Sequence, residues 1–491
     1  MTPAAVLLAC AVGIADWGPV RLDAEGVPLP PGVVARLGSS RFRSPGDLID
    51  LRFTPDGRQL VGATARAVCV WDARTGHRIA IHTGFRRISH LAVRPDGSLA
   101  LIAAYGLELR YVRLDRETGR VLDSRKLNDD HDDLALSADG TRIAQRFGGL
   151  AKVIEIDSGK TVGDLRFSIS DISPNYFAFS PDGKLLAAVF SHNWTEVREV
   201  ATGNMPYSGT AGDADSCVQE IAFAADSRSL LRLLFAEDKP YRLESIDLQT
   251  EKATPLYSFE NTDRSRGGVV PSRDGKSVYL AAQNEVARFE LVAKTPAITH
   301  AIPYPTIVNR GVLSPDGKIL AVALSTSGIS LYDARTLAKL PQSSDDIVTR
   351  SERGKFVADG RRFAILGVNS FQILDSSTGT IVGRHGEPGE ALVEVHPDGS
   401  QFARTTPKGV EVRKIGHEKA RLRFEWDGDG SASRVFFSRD GSRFMTDGDS
   451  GYRVWDLPSG KPLAAVSNHL NRWYPSPDGS WAVSIRRLNS F

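Results

Sequence analysis

The chain has 491 residues, of which 41% are hydrophobic and 24% are charged, so it has ample material for buried cores and is not a mainly disordered protein. Its 61 Lys and Arg residues nearly balance 59 Asp and Glu residues, and the basic residues are scattered, which argues against a nucleic-acid partner. The three cysteines are far apart in the chain, so neither a disulfide framework nor a paired-cysteine metal site is predicted.

The first segment, residues 1–36, is predicted to be a signal-like leader followed by a linker. Its apolar run from Ala4 to Ala15 is too short to span a bilayer as a helix but has the length of a signal-peptide core. We therefore expect an extracytoplasmic protein. A cytoplasmic location is the alternative, because no Lys or Arg precedes the run. No later stretch is apolar enough to predict a transmembrane segment.

One short element recurs eleven times after this leader. It is an apolar strand, a turn ending in Asp-Gly or a close variant, and a second apolar strand. Asp56 and Asp478, the first and last turn aspartates, are 422 positions apart, or about 42 residues per interval over ten intervals, which fits the period of a four-stranded propeller blade. The turn aspartates are Asp56, Asp96, Asp139, Asp182, Asp226, Asp274, Asp316, Asp359, Asp398, Asp440 and Asp478.

A second element, about fifteen residues after the first, adds two more strands to most repeats. It reads VCVWDARTG from Val68 to Gly76 and YRVWDLPSG from Tyr452 to Gly460. The alternating side chains indicate a strand with one buried face, and the Asp-x-x-Thr/Ser-Gly ending is typical of a hairpin turn. The sequence therefore predicts an all-β protein built from four-stranded antiparallel blades, a β-propeller of about eleven repeats.

With these two elements the chain resembles the WD-repeat family over about residues 37 to 491. Trp71-Asp72 and Trp455-Asp456 occupy the position of the family's Trp-Asp dipeptide, and the lead-in from Val27 to Arg43 looks like that of large bacterial WD-repeat proteins. Most repeats lack the Trp and the family's Gly-His dipeptide, so the family's buried hydrogen-bond network does not carry over to them. Periplasmic Tol-type propellers use a similar turn and are the alternative relatives.

Motifs of catalysis are absent from the sequence. It has no phosphate-binding loop, no zinc-protease helix motif, no nucleophile elbow and no dinucleotide glycine fingerprint. The histidines, among them His90 and His396, fall at different positions in different repeats, so they predict no metal ring. The acidic stretch from Asn128 to Asp133 is interpreted as a solvated loop rather than a calcium site. We expect no enzyme activity, no cofactor and no metal.

The sequence predicts a binding scaffold for proteins or peptides, because a rigid ring presents many loops on one surface. The alternative is the propeller portion of a hydrolase, or a sugar- or lactone-processing enzyme with acids or histidines lining its channel. Trp, Tyr and Arg dominate binding energy in interfaces, and exposed residues of these types or acidic loops are the candidate contacts. They are Arg86, Arg87, Tyr105, Asp129, Trp194 and Trp426.

Eleven blades exceed the four to eight of a typical ring, so the sequence predicts two rings, and a single ring of ten or eleven blades is the alternative. The first spans residues 37–345, with Arg41 to Arg43 as the strand that closes its last blade. The second, residues 346–491, is incomplete, because its last repeat stops after two strands. An open sheet edge invites pairing with another chain, so a longer parent protein or self-association is expected.

Overall fold

The computed structural model contains only β-strands and turns among the residues it describes, and no helix in that part of the chain is long and apolar enough to cross a membrane. The described residues are 41–105, 108–127, 134–147, 150–168, 174–190, 193–210, 216–236, 239–259, 268–282, 285–291, 298–301, 308–324, 328–340, 353–367, 370–377, 380–386, 392–417, 419–425, 432, 434–448, 451–466 and 471–486.

The strands form eleven antiparallel sheets, one for each repeat, which confirms the predicted fold class. Within the described residues nine sheets have four strands in sequence order, one has three and one has two. Contacts divide the chain into two compact units, and the unit Ser40–Arg350, here the N-terminal unit, holds seven of the sheets.

The first four sheets of the N-terminal unit each have four strands. They are β1 Leu48–Phe53, β2 Gln59–Thr64, β3 Val68–Asp72 and β4 Arg78–His82; β5 Arg87–Val93, β6 Leu99–Tyr105, β7 Glu108–Leu114 and β8 Val121–Lys126; β9 Leu134–Leu136, β10 Arg142–Phe147, β11 Leu150–Glu155 and β12 Thr161–Arg166; and β13 Pro174–Phe179, β14 Leu185–Phe190, β15 Trp194–Glu199 and β16 Tyr207–Thr210.

The remaining three sheets of this unit end with the three-stranded one. They are β17 Ser216–Phe223, β18 Ser229–Ala236, β19 Lys239–Asp247 and β20 Ala253–Phe259; β21 Gly268–Pro271, β22 Ser277–Ala282, β23 Glu285–Glu290 and β24 Ile298–Ala301; and β25 Val308–Leu313, β26 Ile319–Leu324 and β27 Gly328–Asp333.

The other four sheets belong to the C-terminal unit, whose described strands run from Arg353 to Arg486. They are β28 Arg353–Val357, β29 Arg362–Gly367, β30 Ser370–Asp375 and β31 Ile381–Gly386; β32 Val393–Val395, β33 Gln401–Thr406, β34 Gly409–Lys414 and β35 Ala420–Glu425; β36 Arg434–Phe437, β37 Arg443–Gly448, β38 Gly451–Asp456 and β39 Pro462–Val466; and β40 Asn471–Pro475 with β41 Ala482–Arg486.

The first strands of the seven sheets in the N-terminal unit pack side by side in a circular order. Each of these inner strands contacts the inner strand of the next sheet, and β1 contacts both β5 and β25. The main apolar clusters lie between neighbouring sheets. One of them joins Leu51 and Trp71 of the first sheet to Ala321 and Leu331 of the seventh, so the core is distributed around the circle.

The Asp-Gly turns keep their shape through a repeated side-chain bond. In seven repeats a Ser or Thr hydroxyl, two residues before the turn aspartate, donates to its carboxylate over 2.5 to 2.7 Å, as Ser180 does to Asp182. Gly183, the next residue, has a φ of 68°, a conformation that glycine adopts without steric cost. Local sequence therefore sets these seven hairpins.

The prediction that Arg41 to Arg43 form the strand that closes the last blade of the first ring was wrong. Arg41 and Phe42 form a turn, and the Phe42 amide donates to the Gly76 carbonyl of the first sheet. The free edge of β27 is instead met by Lys339 and Leu340, through a bridge to Tyr332 and a backbone bond to Leu331. Burial of the Phe42 ring against the first sheet fixes this segment as a packed turn.

Candidate binding site at the channel mouth

The inner strands share one irregular position, which we call the inner-ring position: the residue six before the turn aspartate. In β1, β5, β13, β17 and β25 the pairing with the second strand shifts register immediately before this residue. A β-bulge bends the strand and re-aims the side chain beside it. The same distortion thus presents equivalent side chains around the circle.

Most inner-ring positions of the N-terminal unit carry polar or ionisable residues. The Asp133 position lies outside the described residues, and only the backbone of Tyr176 is described. In sheet order the residues are Asp50, His90, Asp133, Tyr176, Glu220, Gly268 and Arg310.

These side chains first of all connect neighbouring inner strands. Asp50 accepts hydrogen bonds from its neighbour Leu51 at 2.8 Å and from the Leu91 amide of the next sheet at 3.3 Å. His90 bonds to the backbone of Leu134, again in the next sheet. Part of their role is therefore structural, because they satisfy backbone groups between blades.

Arg310 and Glu220 form an ion pair that skips a sheet. The Arg310 guanidinium lies 2.7 Å from the Glu220 carboxylate, although β21 lies between their strands. The inner-ring residue of β21 is Gly268, which has no side chain to separate the pair. The result is a charged bridge along one side of the space that the inner strands enclose, the central channel.

The cations of this cluster are more open to water than the acids. Side-chain exposure is 37% for Arg52 and 40% for Arg310, against 13% for Asp50 and 19% for Glu220. The carboxylates accept bonds from backbone amides, so the guanidinium groups are the more accessible hydrogen-bonding groups of the cluster.

Burial shifts two of the titrating groups in this cluster. It raises the pKa of Glu220, an effect that the Arg310 charge opposes. It also lowers the pKa of His90, and the charges of Arg52 and Arg310 lower it further against the pull of Asp50. The imidazole is consequently neutral at pH 7 and can both donate and accept a hydrogen bond.

Four of the rim residues predicted from the sequence lie at the end of the N-terminal unit where the inner strands begin, which we call the mouth face. Arg86 and Arg87 are exposed, and the Arg86 amide bonds to the carbonyl of Ala104, next to Tyr105. The side chain of Tyr105 is not described. Since strands alternate in direction, the start of β15, where Trp194 lies, faces the same end.

Trp194 is half-buried rather than fully open. Its ring packs against the cluster around Phe190, and its Nε1 donates to the buried Glu196 carboxylate at 2.9 Å. Part of this side chain is thus committed to its own sheet. The two other candidates, Asp129 and Trp426, lie outside the described residues, as does the whole stretch from Asn128 to Asp133.

The opposite end of the unit, where the Asp-Gly turns lie, holds a polar cleft of about 370 Å³ between the third and fourth sheets. Each of its four acids has a partner within the protein: Asp139 and Asp182 in their turns, Glu155 with Ser158, and Asp157 with Arg94. We interpret this cleft as a by-product of two adjacent turns. No group of three potential metal ligands occurs among the described residues on either face.

A search for one residue type at equivalent positions of the repeats does not find the channel cluster, because its members are of different types. Counting six residues back from each turn aspartate would have aligned Asp50, His90, Glu220 and Arg310. Their different chemistry hides the equivalence from a search for a repeated residue type. The β-bulge that turns the inner-ring side chain has no recognisable pattern in the sequence.

Repeated four-stranded antiparallel sheets, arranged with their first strands in circular contact, define the β-propeller class of protein. No protein-family model matches the chain, and no curated protein matches it. Among similar solved structures is Kuenenia stuttgartiensis hydrazine synthase, with a TM-score of 0.47 and 16% identity, covering 63% of this chain and 99% of that chain. A likeness this weak carries no argument about activity.

Proposed function

We propose that the protein is a non-catalytic scaffold that binds a protein or peptide partner on the mouth face of its N-terminal unit. The observation that carries this proposal is the convergence, in one channel, of Asp50, His90, Glu220 and Arg310 from four different strands. Two exposed arginines, Arg86 and Arg87, lie at the same end. Guanidinium groups suit interfaces because they form several directed hydrogen bonds and stack on apolar surfaces.

The test removes the two exposed rim charges. The variant Arg86→Ala/Arg87→Ala should lose most of the partner captured from the native organism, while its melting temperature stays within about 2 °C of the wild type, since exposed substitutions rarely alter stability. We leave Trp194 intact, because its removal would strip a hydrogen bond from the buried Glu196.

The matched control removes the same charge from the opposite face. Arg58 and Arg74 are also exposed, but they lie beside the turns of the first sheet. Arg58→Ala/Arg74→Ala should capture the partner as the wild type does. Equal capture by both double variants would rule out the mouth face as the binding surface.

A second candidate function, a channel-centred hydrolase, is favoured by one observation. The neutral His90 beside Asp50 is the kind of pair that can accept and return a proton. Activity of the purified chain on ester, lactone or glycoside substrates, lost in His90→Asn, would support the enzyme. Elemental analysis of the same sample would report any bound metal.

A further inference from the structure

Arg52 is an exception within the repeat. It lies four residues before its turn aspartate, where the other six sheets of the N-terminal unit carry Ala or Val: Ala92, Ala135, Ala178, Ala222, Val270 and Val312. Ala92 and Ala135 at least are buried in the packing between sheets. Since small apolar residues satisfy the packing at this position, the fold does not require the Arg52 guanidinium. Departures from local rules tend to mark functional sites.

The contacts of Arg52 leave part of its guanidinium open. Its Nη1 donates to the Asp50 carboxylate at 2.6 Å and to the Leu51 carbonyl at 2.9 Å. Among the described residues Nε and Nη2 of Arg52 have no partner, and the side chain is 37% exposed. These two donors are parallel and match the two oxygens of a carboxylate.

We infer that Arg52, with Arg310 nearby, binds a monoanionic carboxylate in the central channel. The inference rests on the proposed binding function and specifies the chemistry of the ligand.

The charges around Arg52 favour a ligand with one negative charge over a ligand with two. Arg52 and Arg310 balance Asp50 and Glu220, so the cluster itself has no net positive charge. A phosphate dianion would bring its second charge close to these two acids, which is unfavourable in a partly enclosed site. The exposed Arg86 and Arg87 add an attractive field for anions at the entrance.

The carboxylate can come from the C-terminus of a peptide or from a free organic acid. The probes are therefore acetylated triglycine with a free C-terminus, the same peptide as its C-terminal amide, and butyrate. Binding of each to the full chain is measured by calorimetric or NMR titration. We expect the free-acid peptide or butyrate to bind and the amide not to bind. Preference for the peptide acid over butyrate identifies a chain terminus as the source, and the reverse identifies a small acid.

Variants connect this binding to Arg52. Arg52→Ala should weaken binding of the acid by about tenfold or more, because charge-assisted paired hydrogen bonds are lost. Arg52→Lys, which keeps the charge but not the paired donors, should weaken it less and guards against a folding defect in the Ala variant. The control Arg58→Ala, on the opposite face, should bind as the wild type does.

Three results would overturn the inference: binding of none of the probes, equal binding of acid and amide, or unchanged affinity in both Arg52 variants. Such a result, together with partner capture that still depends on Arg86 and Arg87, would refute the carboxylate site and leave the proposed function standing. Capture that ignores Arg86 and Arg87 would refute the proposed function instead.

Discussion

The properties of single residues in this protein depend on the burial and the charges around them. His385 on β31 is an example in the C-terminal unit. Its ring centroid lies 4.4 Å from that of Phe402 and 5.7 Å from that of Phe371. Burial, with the charges of Arg404 and Arg413, lowers the pKa of His385 to about 4. The folded protein therefore holds a neutral imidazole under conditions in which the unfolded chain is protonated.

This environment predicts an acid-sensitive stability. Because the folded pKa of His385 is below its ordinary value of 6.5, the unfolded state binds the proton first, and stability falls as the pH decreases from 6.5 toward 4. For a half-buried ring exposed to solvent screening we expect a loss of about 1 to 2 kcal/mol. His385→Phe keeps an aromatic ring there and should flatten this part of the curve of melting temperature against pH. A variant with the same pH slope as the wild type would contradict the argument.

Elements of the N-terminal unit are joined at their inner strands by side chains that bond to backbone groups and to other side chains. The bulges matter at this scale, because they turn one residue in each of five inner strands toward the neighbouring strands. The Arg310–Glu220 pair skips a sheet, since it joins the seventh sheet to the fifth. Its contribution to stability depends on whether Glu220 is ionised.

Arg310→Met should destabilise the protein in a pH-dependent manner. At pH 7 the variant leaves a largely buried carboxylate without its counter-charge, at a cost of about 1 to 2 kcal/mol. The pKa of Glu220, which burial already raises, should rise further, so that mild acid protonates the group and relieves the penalty. The difference in melting temperature between variant and wild type should therefore shrink from pH 7 to pH 5.

The matched control is Arg110→Met on β7. Arg110 pairs with Glu108 at 2.8 Å, but both side chains are more exposed to solvent than Glu220 is. Exposed pairs contribute little, so this variant should melt close to the wild type at both pH values. A constant deficit for Arg310→Met across the same range would show that the cost arises from lost packing rather than from the buried charge.

The molecule as a whole divides into an N-terminal unit of seven sheets and a C-terminal unit of four. That the chain forms two separate rings, and that it associates with another chain through an open sheet edge, stay predictions. Two independently folded rings would be joined by an accessible linker, and such linkers are the preferred sites of proteolysis.

Limited proteolysis tests the division. We expect a stable N-terminal fragment of seven blades, produced by cleavage within Pro341 to Gly354, much of which lies outside the described residues. The measurement is the mass of the resistant fragment, together with the number of thermal transitions. Uniform resistance across this segment with one cooperative transition would instead indicate a single larger assembly.

The sequence by itself determined the features that depend on local chemistry. Turn residues such as Ser180, Asp182 and Gly183 bond within a few positions of one another, and alternating apolar residues specify which strand face is buried. The number of sheets and the order of their strands follow from repetition of that local pattern. For the same reason the sequence failed at Arg41 to Arg43, where a strand-like pattern was overruled by packing of the Phe42 ring.

Only the tertiary structure decided which side chains meet in the channel. Arg310 and Glu220 are 90 positions apart, and Asp50 bonds to an amide 41 positions away. Contacts of this kind depend on closure of the circle and on bulges that turn equivalent positions toward it. Repeat periodicity aligns these residues, but their distances, burial and pKa shifts arise only when separate sheets bring them together.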